Sequence, residues 1–149
     1  MNAKRAALLW ALVGLSLLIP LAACSKSADV GAPQVSKQEL AGMPPGEQLK
    51  VAAAKGDMAL VQQILGSDPS LVNYGDGQGP TPLHMAASGN REDVVKYLLA
   101  HGADPLAHDN NDLTPFDVAR QQRASTSLQN LLRDAGTKAA SAARSGQPQ

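Results

Sequence analysis

The stretch that fixes the fold is TPLHMAASGN at residues 81–90, continued by VVKYLL at 94–99 and HGADPLAHDNNDLTPFDVA at 101–119. Its opening letters TPL, at 81–83, recur 33 positions later as TPF, at 114–116, and Asp76 recurs as Asp109 at the same offset. An upstream copy matches the middle one at an offset of 34, at Leu49, Ala52, Ala53, Gly56, Leu60, Val61, Ile64 and Leu65. Self-similarity at this period predicts a stack of repeated units.

Each copy has the residues of a short helix pair. Thr81 and Thr114 are good N-cap residues, and each precedes a Pro, whose missing N–H costs nothing in the first turn. Gly56 and Asn90 stand where the chain turns between the helices and a left-handed residue is needed. Apolar stripes at helical spacing mark the second helices: Leu60, Val61, Ile64 and Leu65; Val94, Val95, Leu98 and Leu99; Leu128, Leu131 and Leu132.

Small and polar residues in the first helices indicate close packing and specific hydrogen bonds. Ala86 and Ala87 are small where paired helices approach each other. His84 is expected to tie neighbouring turns together by hydrogen bonds. Asp117 takes the place of His84 in the third copy, where it is expected to pair with Thr114 in a capping box.

These motifs together resemble the ankyrin repeat. The resemblance covers residues 47–136, in units of about 47–80, 81–113 and 114–136, and implies an all-α, short ankyrin-repeat solenoid of stacked helix pairs joined by finger loops. The first unit lacks the TP opening. The third lacks the second alanine after Ala119, and we expect it to lose most of the turn between its helices.

The resemblance also implies where a partner binds, because ankyrin proteins use a concave surface of fingers and first helices. The matching positions in this sequence are Tyr74, Gly77, Gln78, Pro80, Lys55, Ser88, Gly89, His108, Asn110, Asn111, Leu113 and Gln121. Of these, Tyr74 is the one aromatic anchor of the kind that dominates binding energies. An equally good interpretation is that many of these residues only form turns.

The N-terminus has the features of a secretion signal. Lys4 and Arg5 precede 18 uncharged residues, 6–23, and the only cysteine, Cys24, follows. The letters LAAC at 21–24 look like the lipobox of bacterial lipoproteins. That resemblance implies cleavage of residues 1–23, a lipid on Cys24, and, with Ser25 next, an outer-membrane protein facing the periplasm. The alternatives are an uncleaved membrane anchor and a buried cysteine.

The chain on either side of the repeats has the composition of linkers. Residues 24–46 are rich in Ser, Lys, Gly and Pro and predict a flexible tether, and residues 137–149 predict a disordered tail. Loss of Lys4 and Arg5 with the signal leaves 11 basic and 13 acidic side chains, and residues 47–136 carry 7 basic and 11 acidic ones. Aspartates near the fingers would attract a basic partner surface, or they serve only caps and turns.

Few residues in this chain suit catalysis or metal binding. His84, His101 and His108, with Asp104 and Asp109, form the one conceivable set, and no spacing places two histidines on one helical face. His101, before Gly102, is expected at a helix C-terminus. The sequence contains no nucleophile elbow, phosphate loop or dinucleotide fingerprint, and the balanced charge disfavours general nucleic-acid binding. We therefore expect no enzyme, metal, cofactor or small-molecule substrate.

The remaining function is recognition. The sequence favours a lipid-anchored periplasmic module that binds another envelope protein and modulates, protects or inhibits it. The most specific form of this hypothesis is an immunity-type inhibitor of a secreted toxin. The alternatives are a structural envelope lipoprotein without a dedicated partner and a metal-dependent enzyme that uses His101 and His108.

Overall fold

A computed structural model describes residue 40, residues 42–75 and residues 79–145 of the chain. The regular structure of these residues consists of six α-helices and one 3-10 helix. The helices are α1 (Pro45–Lys55), α2 (Met58–Ser67), a 3-10 helix (Pro69–Asn73), α3 (Pro82–Ser88), α4 (Glu92–Ala100), α5 (Pro115–Gln121) and α6 (Thr126–Ser145). No strand occurs among these residues. The predicted signal, Cys24, most of the tether and the loop tip at 76–78 lie outside them.

The helices pack as three pairs, and the all-α ankyrin solenoid is confirmed. α1 packs on α2, α3 on α4 and α5 on α6, while α3 lies between α1 and α5. Alanines fill the contact between the first helices, and five of them are fully buried: Ala52, Ala53, Ala86, Ala87 and Ala119. Branched aliphatic residues of the predicted stripes fill the second layer, among them Val61, Val94, Val95, Leu98, Leu128 and Leu132.

The threonine–proline pairs begin helices as predicted. Thr81 and Thr114 are N-caps with extended backbone, and α3 and α5 start at the prolines that follow. In the third repeat, the Thr114 amide and hydroxyl donate to Oδ2 of Asp117 at 3.2 and 2.6 Å, while the Asp117 amide donates to Thr114 Oγ1. The predicted capping box is therefore present.

The turns between paired helices repeat in all three units, which corrects one expectation. Gly56 and Asn90 have φ of 84° and 54°, as predicted for left-handed positions. Arg123 takes the same conformation in the third unit, with φ 55°, so that unit keeps its turn. The turn persists because the Ala124 amide donates to the Ala119 carbonyl at 2.9 Å and Ala124 is buried. These contacts offset the steric cost of a left-handed arginine, about 1–2 kcal/mol.

The C-terminal segment is a second correction. The prediction of a disordered tail from residue 137 is wrong for 137–145, which continue α6, while 146–149 lie outside the described residues. This segment has four alanines and neither Gly nor Pro, a composition with high helix propensity. α6 also packs on α4 of the second repeat, and Ala139 lines a groove together with Leu99 and Ala103.

None of the described helices is both long enough and apolar enough to span a bilayer.

Candidate recognition surface

The second finger, residues 104–113 between α4 and α5, is built around one carboxylate. Oδ1 of Asp109 accepts hydrogen bonds from the amides of Asn111 and Leu113 at 2.8 and 3.1 Å, and the Asp109 amide donates to the Leu113 carbonyl at 3.0 Å. Asp112 completes the turn with φ 61°. The predicted binding residues Asn110 and Asn111 are exposed at its tip, and Leu113 is half-buried at its base.

The hydrogen bonds to Asp109 also set its charge state. Desolvation by burial raises the pKa of Asp109, but the bonds from the Leu113 and Asn111 amides outweigh it and hold that pKa below its usual value. Asp109 is therefore ionised at neutral pH, and its carboxylate accepts hydrogen bonds from within the finger.

His84 fastens the second finger to α3. Its Nε2 lies 2.9 Å from the Leu113 carbonyl oxygen, and its Nδ1 accepts from the Thr81 amide at 3.2 Å. The side chain is buried, and this burial lowers the pKa of the imidazole. The expectation that His84 ties neighbouring turns together is confirmed.

In the first finger, residues 74–80, the predicted binding residues Tyr74 and Pro80 are less exposed than the sequence suggested. Tyr74 is half-buried, its ring lies against Gly46, and the Lys50 ammonium lies 5.5 Å from the ring centroid. This aromatic therefore packs on α1 instead of standing free. Pro80 is half-buried next to Thr81, and Gln78 lies outside the described residues.

Two of the predicted helix positions differ in accessibility. Gln121, the last residue of α5, is exposed, whereas Ser88 is half-buried and donates its hydroxyl to the Met85 carbonyl at 2.9 Å. Gly89 lies so close to the Ala54 carbonyl that a Cβ there would overlap the oxygen. Gly89 therefore serves packing between repeats.

His101 and Asp104, two residues of the conceivable metal set, have structural partners. His101 ends α4 as expected, donates from Nδ1 to the Tyr97 carbonyl at 2.8 Å and stacks on the Tyr97 ring at 4.0 Å. Asp104 accepts from the Leu106 amide at 2.8 Å. His108 is exposed in the finger. Within the described residues, no three His, Cys, Asp or Glu side chains form a group that could hold a metal ion.

Sequence reasoning missed the side chains that join one repeat to the next. Asn73 donates to the Gly102 carbonyl at 3.0 Å and accepts from the Asp104 amide at 2.8 Å. Arg91 donates from Nε to the Ala54 carbonyl at 3.1 Å. No local pattern marks these residues, because each bond joins positions about one repeat apart. Asn73 joins adjacent repeats near the fingers, and Arg91 joins them near the turns between paired helices.

A family model of ankyrin repeats, in three copies, matches residues 49–142. The chain belongs to the ankyrin-repeat family. It is 44% identical over 68 residues to the 2-5A-dependent ribonuclease of Mus musculus, covering 46% of this chain and 9% of that protein. It is 38% identical over 69 residues to the ARF GTPase-activating protein Git of Drosophila melanogaster, covering 46% and 9%. It is 42% identical over 74 residues to the serine/threonine-protein kinase VIK of Arabidopsis thaliana, covering 48% and 17%.

The chain thus spans less than a fifth of the length of these relatives, and the likeness lies in the repeats. The repeats make the described region a protein–protein interaction module.

Proposed function

We propose that this ankyrin module binds another protein of a bacterial cell envelope through its second finger and the end of α5, without chemistry of its own. The observation that carries the proposal is the construction of the second finger. Asp109 and His84 fix its backbone, while Asn110 and Asn111 remain exposed at its tip. A loop that is already ordered loses little conformational entropy on binding, which favours recognition.

The partner is proposed to be modulated, protected or inhibited by this contact, and an immunity-type inhibitor of a secreted toxin is the most specific form. The aspartates in or beside the second finger are not the basis of this proposal. Asp104, Asp109 and Asp117 each accept hydrogen bonds within the module, so turn and cap formation accounts for them. Shape and the exposed amides of the finger tip are the better basis for recognition.

The location rests on the lipobox-like letters at 21–24, which lie outside the described residues. We propose a lipid on Cys24 that holds the module at the periplasmic face of the outer membrane. Stable anchoring takes more than one acyl chain, and processed bacterial lipoproteins carry two or three.

Metabolic labelling with an alkyne analogue of palmitate tests this anchor. We expect label on the wild-type chain, because the Cys24 sulfur accepts the diacylglycerol, and complete loss of label in Cys24→Ser. Ser27→Ala, a change of similar size three residues on, is expected to keep it. An unlabelled wild-type chain, or label that persists in Cys24→Ser, would refute the anchor.

Crosslinking followed by recovery from intact envelopes tests recognition. Asn110→Arg and Gln121→Arg place a long cation on the proposed surface, and we expect each to lower partner recovery at least tenfold, equivalent to about 1.4 kcal/mol of binding. Gln62→Arg is the matched control, because Gln62 is exposed on α2, and recovery is expected to stay within twofold. We expect the stability of all three variants to be unchanged, which thermal unfolding measures.

The second candidate is a structural envelope lipoprotein without a dedicated partner. The internal use of the finger aspartates favours it, since residues that only build turns need no partner. This candidate predicts low-yield neighbours that depend on the lipid and do not change in Asn110→Arg or Gln121→Arg. One protein recovered in near-stoichiometric yield, and lost in both variants, excludes it.

A further inference from the structure

Helices α3 and α5, which follow the two fingers, begin with the same capping box but use different acceptors. At the first finger, the Thr81 amide lies 3.2 Å and the Thr81 hydroxyl 2.9 Å from Nδ1 of His84. At the second finger, the Thr114 amide and hydroxyl lie 3.2 and 2.6 Å from Oδ2 of Asp117. An imidazole therefore does in the second repeat what a carboxylate does in the third.

The hydrogen bonds define the proton position on His84. Because Nδ1 accepts from a backbone N–H, the neutral ring carries its proton on Nε2, which donates to the Leu113 carbonyl at 2.9 Å. A second proton on Nδ1 would point at the Thr81 N–H, which would then lose its acceptor. The bond to Leu113 would remain, so protonation affects only the Thr81 side of the ring.

The surroundings of His84 favour the neutral ring, while those of Asp117 favour the charged carboxylate. Burial lowers the pKa of His84; the Asp109 carboxylate in the finger acts in the opposite direction, and His108 adds to the lowering. The hydrogen bond from the Thr114 hydroxyl lowers the pKa of Asp117 from its usual 3.8. The ordinary pKa of an imidazole is about 6.5 and that of an aspartate about 3.8, so acidification from neutral pH approaches the imidazole before the carboxylate.

We propose that acid opens the capping box at the start of α3 and leaves the box at the start of α5 closed: protonation of His84 frees the Thr81 amide and loosens residues 79–81, while the Thr114–Asp117 box persists. The direction in which stability changes with pH follows from the difference between the folded and unfolded pKa of His84. The folded state prefers the neutral imidazole, so its contribution to stability is complete above the unfolded pKa of about 6.5 and is lost as pH falls from there toward the lower folded pKa. Below the folded pKa, the loss is complete.

Amide hydrogen exchange of the full-length chain, measured by NMR from pH 7.5 to 5, tests this selectivity. Once the imidazole titrates, we expect the protection factor of the Thr81 amide to fall by up to about tenfold per pH unit, because the protonated fraction rises by that factor. The protection factor of the Thr114 amide is expected to stay constant. Equal losses at both amides would show general loosening and would overturn the proposal.

Two variants test whether His84 causes the pH dependence of Thr81 protection. His84→Gln supplies an acceptor at the same position of the capping box that does not titrate, so Thr81 protection should become independent of pH. Asp117→His, at a half-buried site in the last repeat, should give Thr114 the pH dependence of Thr81. Persistence of the pH dependence in His84→Gln, or its absence at Thr114 in Asp117→His, would contradict the assignment.

The inference concerns the two capping boxes and goes beyond the proposed function. Hydrogen exchange needs no partner, so failure of the proposed function would leave this result unaffected. Recovery of a partner at pH 7.5 and 5 does not decide the proposal. Thr81 protection that persists in acid would overturn it, whatever the recovery.

Discussion

Replacing Leu83 by Ala is expected to lower the free energy of unfolding by about 2–5 kcal/mol. Leu83 is fully buried in α3, the helix between α1 and α5, so the cavity would lie inside the stack. The total stability of a small domain is about 5–15 kcal/mol, and the change therefore removes a large share of it. Urea denaturation followed by circular dichroism at 222 nm measures the difference.

Leu106→Ala is the control for this experiment, because it removes the same atoms from a side chain that is 38% exposed. We expect it to cost less than about 1 kcal/mol, as surface substitutions usually do. Equal losses in the two variants would show that Leu83 does not anchor the stack.

Replacing Gly89 by Ala is expected to destabilise the module by about 1–3 kcal/mol, the usual cost of forcing an added carbon into a packed contact. The backbone of Gly89, with φ −78°, suits any residue, so the cost arises from space and not from strain. The added Cβ would overlap the Ala54 carbonyl oxygen, which also accepts the hydrogen bond from Arg91. The first and second repeats would have to move apart.

Gly66→Ala is the matched control, since a Cβ at Gly66 meets no heavy atom within 4 Å. It lies in α2, where Ala is preferred over Gly, and we expect no loss or a gain of up to about 1 kcal/mol. Thermal unfolding of both variants separates the two effects. A Gly89→Ala chain as stable as Gly66→Ala would mean that the repeats adjust freely at this contact.

The binding surface stays a prediction, but the structure shows which of its predicted residues are accessible. The exposed positions Asn110, Asn111 and Gln121 follow from matching the repeat to its family. Tyr74 was predicted as an exposed anchor, yet its ring covers Gly46, a residue 28 positions away. Single positions in a pattern do not show which distant backbone segment approaches them, so packing of this kind stays hidden.

The sequence by itself determined the period, the helix starts and the layers of this protein. Those features depend on interactions within one turn or one repeat: Thr81 and Thr114 cap the helix that follows them, and the stripes recur at helical spacing. Local chemistry suffices for them.

Only the tertiary structure decided the left-handed turn at Arg123, the length of α6 and the role of Gly89. Arg123 has no preference for its conformation, and besides the local Ala124–Ala119 bond the turn is joined to the preceding repeat by the Ser125 amide, which donates to Asn90 Oδ1 at 2.9 Å. Residues 137–145 continue α6, and this helix packs on α4 of the second repeat. Each of these outcomes depends on contacts between residues about 30 or more positions apart, whose energies exceed the weak local preferences that a sequence reveals.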